Sequence, residues 1–145
     1  MEHPKAVGDR STLAIMLGLR EAGYSLAAIP FGENTRHDLV IEVGTELARV
    51  QCKTGRLRSG AVRFNACSWY SHHPNPKQAS RDYLGEVDYF AVYCPETTGV
   101  YLIPIADLPV RVQGALRVDP PRNNQWRRIR FAADYEIAKV SVVSS

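Results

Sequence analysis

An α/β sandwich, a single domain built on a mixed β-sheet, is the fold class the sequence predicts, and three observations predict it. One amphipathic segment, GDRSTLAIMLGLREAGY, opens the chain. Several short strand-like runs follow, and two of them, VDYFAVYC and GVYLIPI, carry bulky apolar residues at both alternating positions. No internal repeat, low-complexity tract or linker divides the 145 residues, a length that suits one domain with a substantial core. Apolar residues make up 45% of the chain and charged residues 23%, an ordinary globular balance.

Taken in order, the opening segment reads as a helix. Asp9 or Ser11 can cap its first turn, and Leu13, Met16 and Leu17 with Ile15, Leu19 and Ala22 form a wide apolar stripe. Gly23 is placed to end it in the left-handed conformation that helix C-termini favour. SLAAIPF reads as a short strand closed by Pro30 and the turn-prone GENT. HDLVIEV and ELARVQCKT are strands around a turn at Gly44. The first puts Leu39, Ile41 and Val43 on one face and Asp38, Val40 and Glu42 on the other. The second opposes Val50, Cys52 and Thr54 to Arg49, Gln51 and Lys53. RLRSG reads as a turn and AVRFNA as a further strand. SWYSHHPNPKQASRDYLGE has the composition of a long ordered loop, a kind of segment that often carries function. VDYFAVYC and GVYLIPI, joined by PETT, belong at the centre of the sheet. IADLP suggests one helical turn, and GALRVDPPRNNQ a short strand running into a polar loop.

Composition also excludes. No stretch approaches the roughly 18 apolar residues of a membrane span, and MEHPKAVGDR lacks a signal peptide's apolar core, so a soluble cytoplasmic protein is expected. Cys52, Cys67 and Cys94 contain no C-x-x-C pair, which argues against a disulfide framework or a zinc ribbon. Cys67, His72 and His73 lack a fourth ligand for a metal, and the three cysteines read as small core residues of a reducing compartment.

The net charge of +3 is modest but unevenly spread. From Glu46 to Asp82 no acidic residue intervenes, while Arg49, Lys53, Arg56, Arg58, Arg63, Lys77 and Arg81 all fall there. RNNQWRRIR adds Arg122, Arg127, Arg128 and Arg130. Concentrated positive charge attracts polyanions, and nucleic acid is the commonest of them. A solvated basic face has the same composition.

RVQCKTGR poses the chemical question, because Gln51 and Lys53 share a strand face two residues apart. Pairing around Gly44 brings Asp38 to the same end of the hairpin. A carboxylate oxygen, an amide oxygen and the Cys52 carbonyl are hard donors suited to Mg²⁺ or Mn²⁺. A neighbouring ammonium can orient or deprotonate a water, or stabilise charge developing at phosphorus. Together they compose a site for metal-assisted phosphodiester hydrolysis. D-x₁₂-Q-x-K is weak as a bare pattern, and the polar face of an edge strand accounts for the same residues without any chemistry.

RHDLVIEV, ARVQCKTGRLRSGAVRF and VDYFAVYCPETTGVYLIPI resemble the group I intron-associated, homing-type branch of the PD-(D/E)XK nuclease superfamily. The resemblance runs from GDRSTLAIM to about NNQ. The superfamily also includes restriction enzymes and Holliday-junction resolvases. It implies a restriction-endonuclease-like mixed sheet flanked by helices, with a divalent metal, Mg²⁺ or Mn²⁺, at the strand ends. It implies that Asp38 is the motif aspartate, Gln51 the second acidic position in this branch's glutamine form, and Lys53 the motif lysine. Asp38, Gln51 and the carbonyl of Cys52 would then hold the metal. Two features depart from the pattern. His37 stands where a proline often precedes the aspartate, and the first helix offers Ser11 and Thr12 where many relatives place a glutamate. Glu42 shares Asp38's face, but four strand residues, about 13 Å, separate them, too far for one ion. Glu33 and Asp9 are the other acids within plausible reach.

The resemblance makes DNA the expected partner and a homodimer or tetramer the expected assembly, since two strands need two sites. Arg56 and Arg58 would flank the scissile phosphate, Arg63, Lys77 and Arg81 would extend the track, and Ser68 and His72 would reach phosphates from the loop. Trp69 and Tyr70 can stack on a base or pack the loop down. Arg127, Arg128 and Arg130 form either a second contact surface or a charged edge that resists aggregation. The rival reading keeps the fold and drops the chemistry, as a DNA-binding or assembly module with a degraded metal site. A protein-interaction domain without a nucleic-acid partner is the third.

Overall fold

The computed structural model describes residues 4–28, 39–66, 87–108, 113–120 and 129–141. Among these residues one helix, α1 (Pro4–Glu21), precedes nine strands: β1 (Ser25–Ala28), β2 (Leu39–Val43), β3 (Glu46–Thr54), β4 (Arg56–Arg58), β5 (Ala61–Asn65), β6 (Tyr89–Cys94), β7 (Gly99–Pro104), β8 (Gln113–Arg117) and β9 (Glu136–Lys139). Single 3-10 turns occupy Ile105–Asp107 and Ala132–Asp134.

Six strands form one sheet in the order β1-β2-β3-β6-β7-β9, and three form a second in the order β4-β5-β8. β3 and β6 run parallel, and every other pair is antiparallel. The mixed-sheet α/β class expected from the sequence therefore holds. Among the described residues the flanking layers are one helix on one face and the small sheet on the other.

The alternation of side chains along the central strands builds two cores. Ala91, Tyr93, Val100 and Leu102 pack toward α1 with Ile15, Leu19, Leu39, Ile41 and Val50. Phe90, Val92, Cys94, Tyr101 and Ile103 pack toward Val62, Phe64 and Leu116 of the small sheet. β6 and β7 are thus apolar on both faces because both faces are covered. The Tyr101 hydroxyl, bonded to Thr97 Oγ1 at 2.8 Å, has its pKa raised by burial and stays protonated.

α1 differs from its sequence expectation in its start and in its buried stripe. It begins at Pro4, a residue suited to a first turn where no N–H partner is needed, so neither Asp9 nor Ser11 caps it. Its buried seam is Ser11, Ala14, Ile15, Gly18 and Leu19, while Leu13 is 61% exposed, Leu17 49%, and Ala22 is also exposed. The helix approaches the sheet along its smallest residues. A Cβ on Gly18 would stand 2.8 Å from Val100 Cγ2, so a wider apolar stripe has no room to turn inward. The C-terminus follows expectation. Tyr24 N–H donates to Leu19 O at 2.9 Å and Gly23 N–H to Arg20 O at 3.1 Å, a Schellman arrangement with Gly23 at φ +99°.

RLRSG is likewise more ordered than a turn. Arg56–Arg58 pairs with β5 in the register Arg56↔Arg63, Leu57↔Val62, Arg58↔Ala61, and only Ser59 and Gly60 turn, both with positive φ. The joint between the two sheets is Gly55. It is buried, its N–H donates to Tyr93 O at 2.8 Å, and a Cβ there would lie 2.7 Å from Val62 Cγ1 and 2.8 Å from Val92 Cγ1. The chain crosses at this point between a strand of each sheet, where only a hydrogen fits.

Gly55→Ala therefore forces Val62 and Val92 apart, and the expected cost is roughly 1–3 kcal/mol. Urea unfolding checks it: the midpoint falls with an unchanged slope. An unchanged midpoint would show that the joint has slack.

Candidate active site

β3 has two faces with different fates. Ala48 and Val50 are buried beneath α1 and Cys52 packs against the same cluster, whereas Arg49, Gln51 and Lys53 project on the opposite side. That side is shared with Phe90 and Val92, because Gln51 pairs with Phe90 and Lys53 with Val92. Gln51 and Lys53 are half-buried at the margin of the small-sheet core. The expectation that they share one strand face is met.

The lysine is held over an aromatic floor. Its Nζ stands 5.9 Å from the centroid of Phe90, a cation–π contact worth on the order of 0.5–1 kcal/mol at such a margin. Phe90 in turn meets Phe64 of the small sheet, with centroids 6.1 Å apart and ring planes tilted by 58°. Both sheets thus contribute to where the ammonium sits.

Backbone direction places a second group. Asp88 N–H donates to Arg49 O at 2.9 Å and Gly55 N–H to Tyr93 O at 2.8 Å, so odd-numbered residues of β3 turn their backbone polar groups toward β6. Cys52, one step out of phase, turns its N–H and carbonyl toward the β2 side. There the last described pair is Leu39↔Val50. The Cys52 carbonyl therefore points along the sheet at the end of β2, while its thiol belongs to the helix-side core.

Asp38 lies outside the described residues, as do Glu33, Cys67, Ser68, Trp69, Tyr70, His72, His73, Lys77, Arg81, Arg122, Arg127 and Arg128. Of the other acids, Asp9 is exposed on α1, and Glu42 is exposed opposite Leu47, toward the Gly44 turn. Ser11 does not reach toward Gln51 and Lys53. It is buried and shares a 2.5 Å hydroxyl–hydroxyl hydrogen bond with Thr54, on the helix face of β3. Among the described residues no three His, Cys, Asp or Glu side chains cluster as a metal site would require. The oxygen donors that are present, the Gln51 amide and the Cys52 carbonyl, are neutral and hard, and they fit Mg²⁺ or Mn²⁺ once a carboxylate joins them.

The basic interval is acid-free in sequence only. Arg49 bonds the Asp88 carboxylate through its backbone N–H at 2.8 Å, its Nε at 3.3 Å and its Nη2 at 3.5 Å. Arg56 Nη1 meets Glu96 Oε2 at 3.2 Å, and Leu57 N–H donates to the other oxygen of Glu96 at 2.8 Å. Both side chains are partly exposed, so the ion pairs themselves add about 1 kcal/mol or less. Their larger effect is to neutralise two of the arginines. Arg56, Arg58 and Arg63 point outward together from the small sheet, since Val62 and Phe64 take its inward face. Sequence reading missed Asp88 and Glu96 as partners, because no local signal marks a contact 39 or 40 residues away. It also missed Arg117, which period-2 alternation around buried Leu116 does reveal.

Two sheets meet at one glycine, with an amide and an ammonium side by side on the strand that leads to the joint. The chain belongs to the PD-(D/E)XK endonuclease family, whose model matches residues 2–138, and is accordingly an endonuclease. Among solved structures it is similar to a bacterial homing endonuclease, I-Ssp6803I, with 18% identity over 94% of this chain and 88% of that one, and a TM-score of 0.66. No curated protein matches it in sequence.

The Arg49–Asp88 contact fixes where β3 meets β6. Asp88→Ala removes the acceptor of a backbone N–H, and the expected loss is about 1–2 kcal/mol of stability. Asp88→Asn, which keeps an acceptor, should recover most of it in the same thermal-unfolding measurement.

Proposed function

We propose that this endonuclease hydrolyses phosphodiester bonds in DNA with a divalent metal, Mg²⁺ or Mn²⁺, and that it is of the homing type. The observation that carries the reading is the adjacency, at the end of β3, of Gln51 and Lys53 on one face and of the Cys52 carbonyl between them, turned toward the β2 side. Leu39, one peptide bond from Asp38, pairs there with Val50, one peptide bond from Gln51. That register supports Asp38 as the carboxylate of the site. In this reading Asp38, the Gln51 amide oxygen and the Cys52 carbonyl hold the metal, which when bound supplies Lewis-acid stabilisation of charge at phosphorus.

Lys53 carries the remaining chemistry. Its ammonium, steadied over Phe90, orients the attacking water and offsets the negative charge that grows as the water's oxygen bonds phosphorus. Gln51 adds no charge of its own, so Asp38 is the only acidic ligand in the proposed set. Arg58 and Arg63 are proposed to meet the DNA backbone, together with Ser68, His72, Lys77 and Arg81 from the segment outside the described residues; Arg56 shares this task with its pairing to Glu96. The known likeness of I-Ssp6803I, named as a homing endonuclease, supports the homing type, and two-strand cleavage supports a dimer or tetramer. No described helix is long and apolar enough to cross a membrane, and Cys52 and Cys94, neither of them in a disulfide, suit the cytoplasm we assign.

One observation favours the rival reading. Ser11 is committed to Thr54 on the wrong face of β3, so the described part of α1 adds no ligand to Gln51 and Lys53. A degraded nuclease that only binds DNA would do so in a salt-sensitive way, indifferent to metal.

Supercoiled plasmid and a synthetic four-way junction, each incubated with Mg²⁺, Mn²⁺ or EDTA, separate the two. The expected result is nicking that EDTA abolishes and that Lys53→Ala slows by roughly 100-fold or more. Asp38→Ala should abolish it, and Gln51→Glu should preserve or raise it. Metal-indifferent binding without cleavage, unchanged in Lys53→Ala, would establish the degraded module instead.

A further inference from the structure

The outer face of the small sheet carries a feature that the hydrolytic site does not use. A cleft of about 180 Å³ opens there, lined by Arg63 of β5, Gln113, Ala115 and Arg117 of β8, and by Ile129 and Arg130. Strand register explains the convergence. Arg63 pairs with Ala115 and Arg117 with Ala61, so the two arginines are diagonal neighbours on one face, about 7–8 Å apart along the sheet. The bridge between Arg117 and Phe131, with Arg117 N–H donating to Arg130 O at 2.7 Å, brings the third arginine alongside.

These guanidiniums are half-buried and permanently charged, and among the described residues none forms an ion pair with a carboxylate. Their hydrogen bonds go to carbonyls. Arg63 Nε reaches Arg58 O at 3.4 Å, and Arg117 reaches Asp119 O at 3.0 Å and Ser59 O at 3.1 Å. Such bonds orient the side chains without neutralising them. Asp119 does not line the cleft; its carboxylate lies on the far side of the Arg117 guanidinium, against the Ser59–Gly60 turn, where a Gly60 Cβ would be 2.8 Å from Asp119 Oδ2 and 3.3 Å from Arg117 Nη2, with no ion pair formed between the two. Three like charges held half out of water repel one another unless an anion joins them. A phosphate oxygen pair matches the fork of a guanidinium, and Gln113 adds an amide donor.

We infer that the cleft formed by Arg63, Arg117 and Arg130 is a phosphate-binding site for the DNA backbone, separate from the reaction centre. The inference rests on DNA as the substrate, and it assigns the small sheet as the surface that positions the duplex while β3 performs the chemistry. The contact is sequence-independent, because a phosphate carries no base identity.

The test uses the full chain and a fluorescein-labelled duplex, with affinity read by anisotropy in EDTA through a salt titration. Arg63→Gln and Arg130→Gln are each expected to weaken binding roughly tenfold. Each should also flatten the slope of log affinity against log salt by about 0.9. Arg63→Lys should keep the slope, and Arg20→Gln, on the exposed end of α1, should match wild type in both. With plasmid at saturation and metal present, the cleft variants should lose far less rate than Lys53→Ala does, with the main loss in KM. Wild-type affinity and slope in both glutamine variants would overturn the cleft and leave the endonuclease reading standing. A fall in the saturated rate like that of Lys53→Ala would also overturn it, by placing these arginines in the reaction centre. Inorganic phosphate that raises the melting temperature of wild type but not of the variants, with duplex affinity unchanged, would mean a free-anion site and overturn the DNA assignment. Failure of wild type to bind any duplex would defeat the DNA reading itself, whatever the variants do.

Discussion

The parallel pairing of β3 with β6 is the contact on which the rest of the structure depends. It joins two strands that are far apart in sequence, from Val50↔Tyr89 to Thr54↔Tyr93, and a pairing of that range is costly in chain entropy. Apolar burial on both faces of β6 offsets that cost. Once β3 lies beside β6, its odd residues must face the small-sheet core and its even residues must face α1. Gln51 and Lys53 are therefore half-buried beside Phe90 instead of standing on a free polar edge. The same register puts Asp88 within 2.8 Å of the Arg49 amide and hands the chain to the small sheet at Gly55.

Gly55 turns one strand into two surfaces with different tasks. Before it, β3 presents an amide and an ammonium at the margin of a dry core, where electrostatic interactions are stronger than in water. After it, β4 and β5 present arginines to solvent on the far side of the small sheet. The hydrogen in place of a side chain lets Val62 and Val92 close over the crossing, so the proposed reaction centre and the proposed phosphate cleft are joined through a packed core. This is the arrangement a hydrolytic site needs if the phosphate is to arrive in register with the attacking group.

Electrostatics shows how far linear charge patterns can mislead. The run without an acid between Glu46 and Asp82 looks like one continuous cationic track. In the folded chain Asp88 and Glu96 return to neutralise Arg49 and Arg56. Among the described residues, Arg63 is instead joined around one cleft by Arg117 and Arg130, two residues from outside that run. Charge density on the surface follows sheet register and not sequence proximity.

Much of the fold was legible beforehand because it rests on local rules. The β3 boundaries, Glu46–Thr54, follow from alternation between the Gly44 turn and Gly55, and the central placement of β6 and β7 follows from apolar residues on both faces. The Gly23 helix end and the shared face of Gln51 and Lys53 are equally local. The depth to which each face of α1 is buried is not. Leu13 and Leu17 are as apolar as Ile15, yet the small residues Ala14 and Gly18 decide which side can approach the sheet, and that depends on Val100 from the far end of the chain. The small sheet was invisible for a similar reason, since Arg56–Arg58 is a strand only because β5 and β8 extend it. By itself the sequence determined periodicity, turns and which residue types share a strand face, because those depend on neighbours within a few bonds. Only the tertiary structure decided which face is buried, which arginines meet a carboxylate and where two sheets meet, because those depend on contacts that loop closure must first bring together.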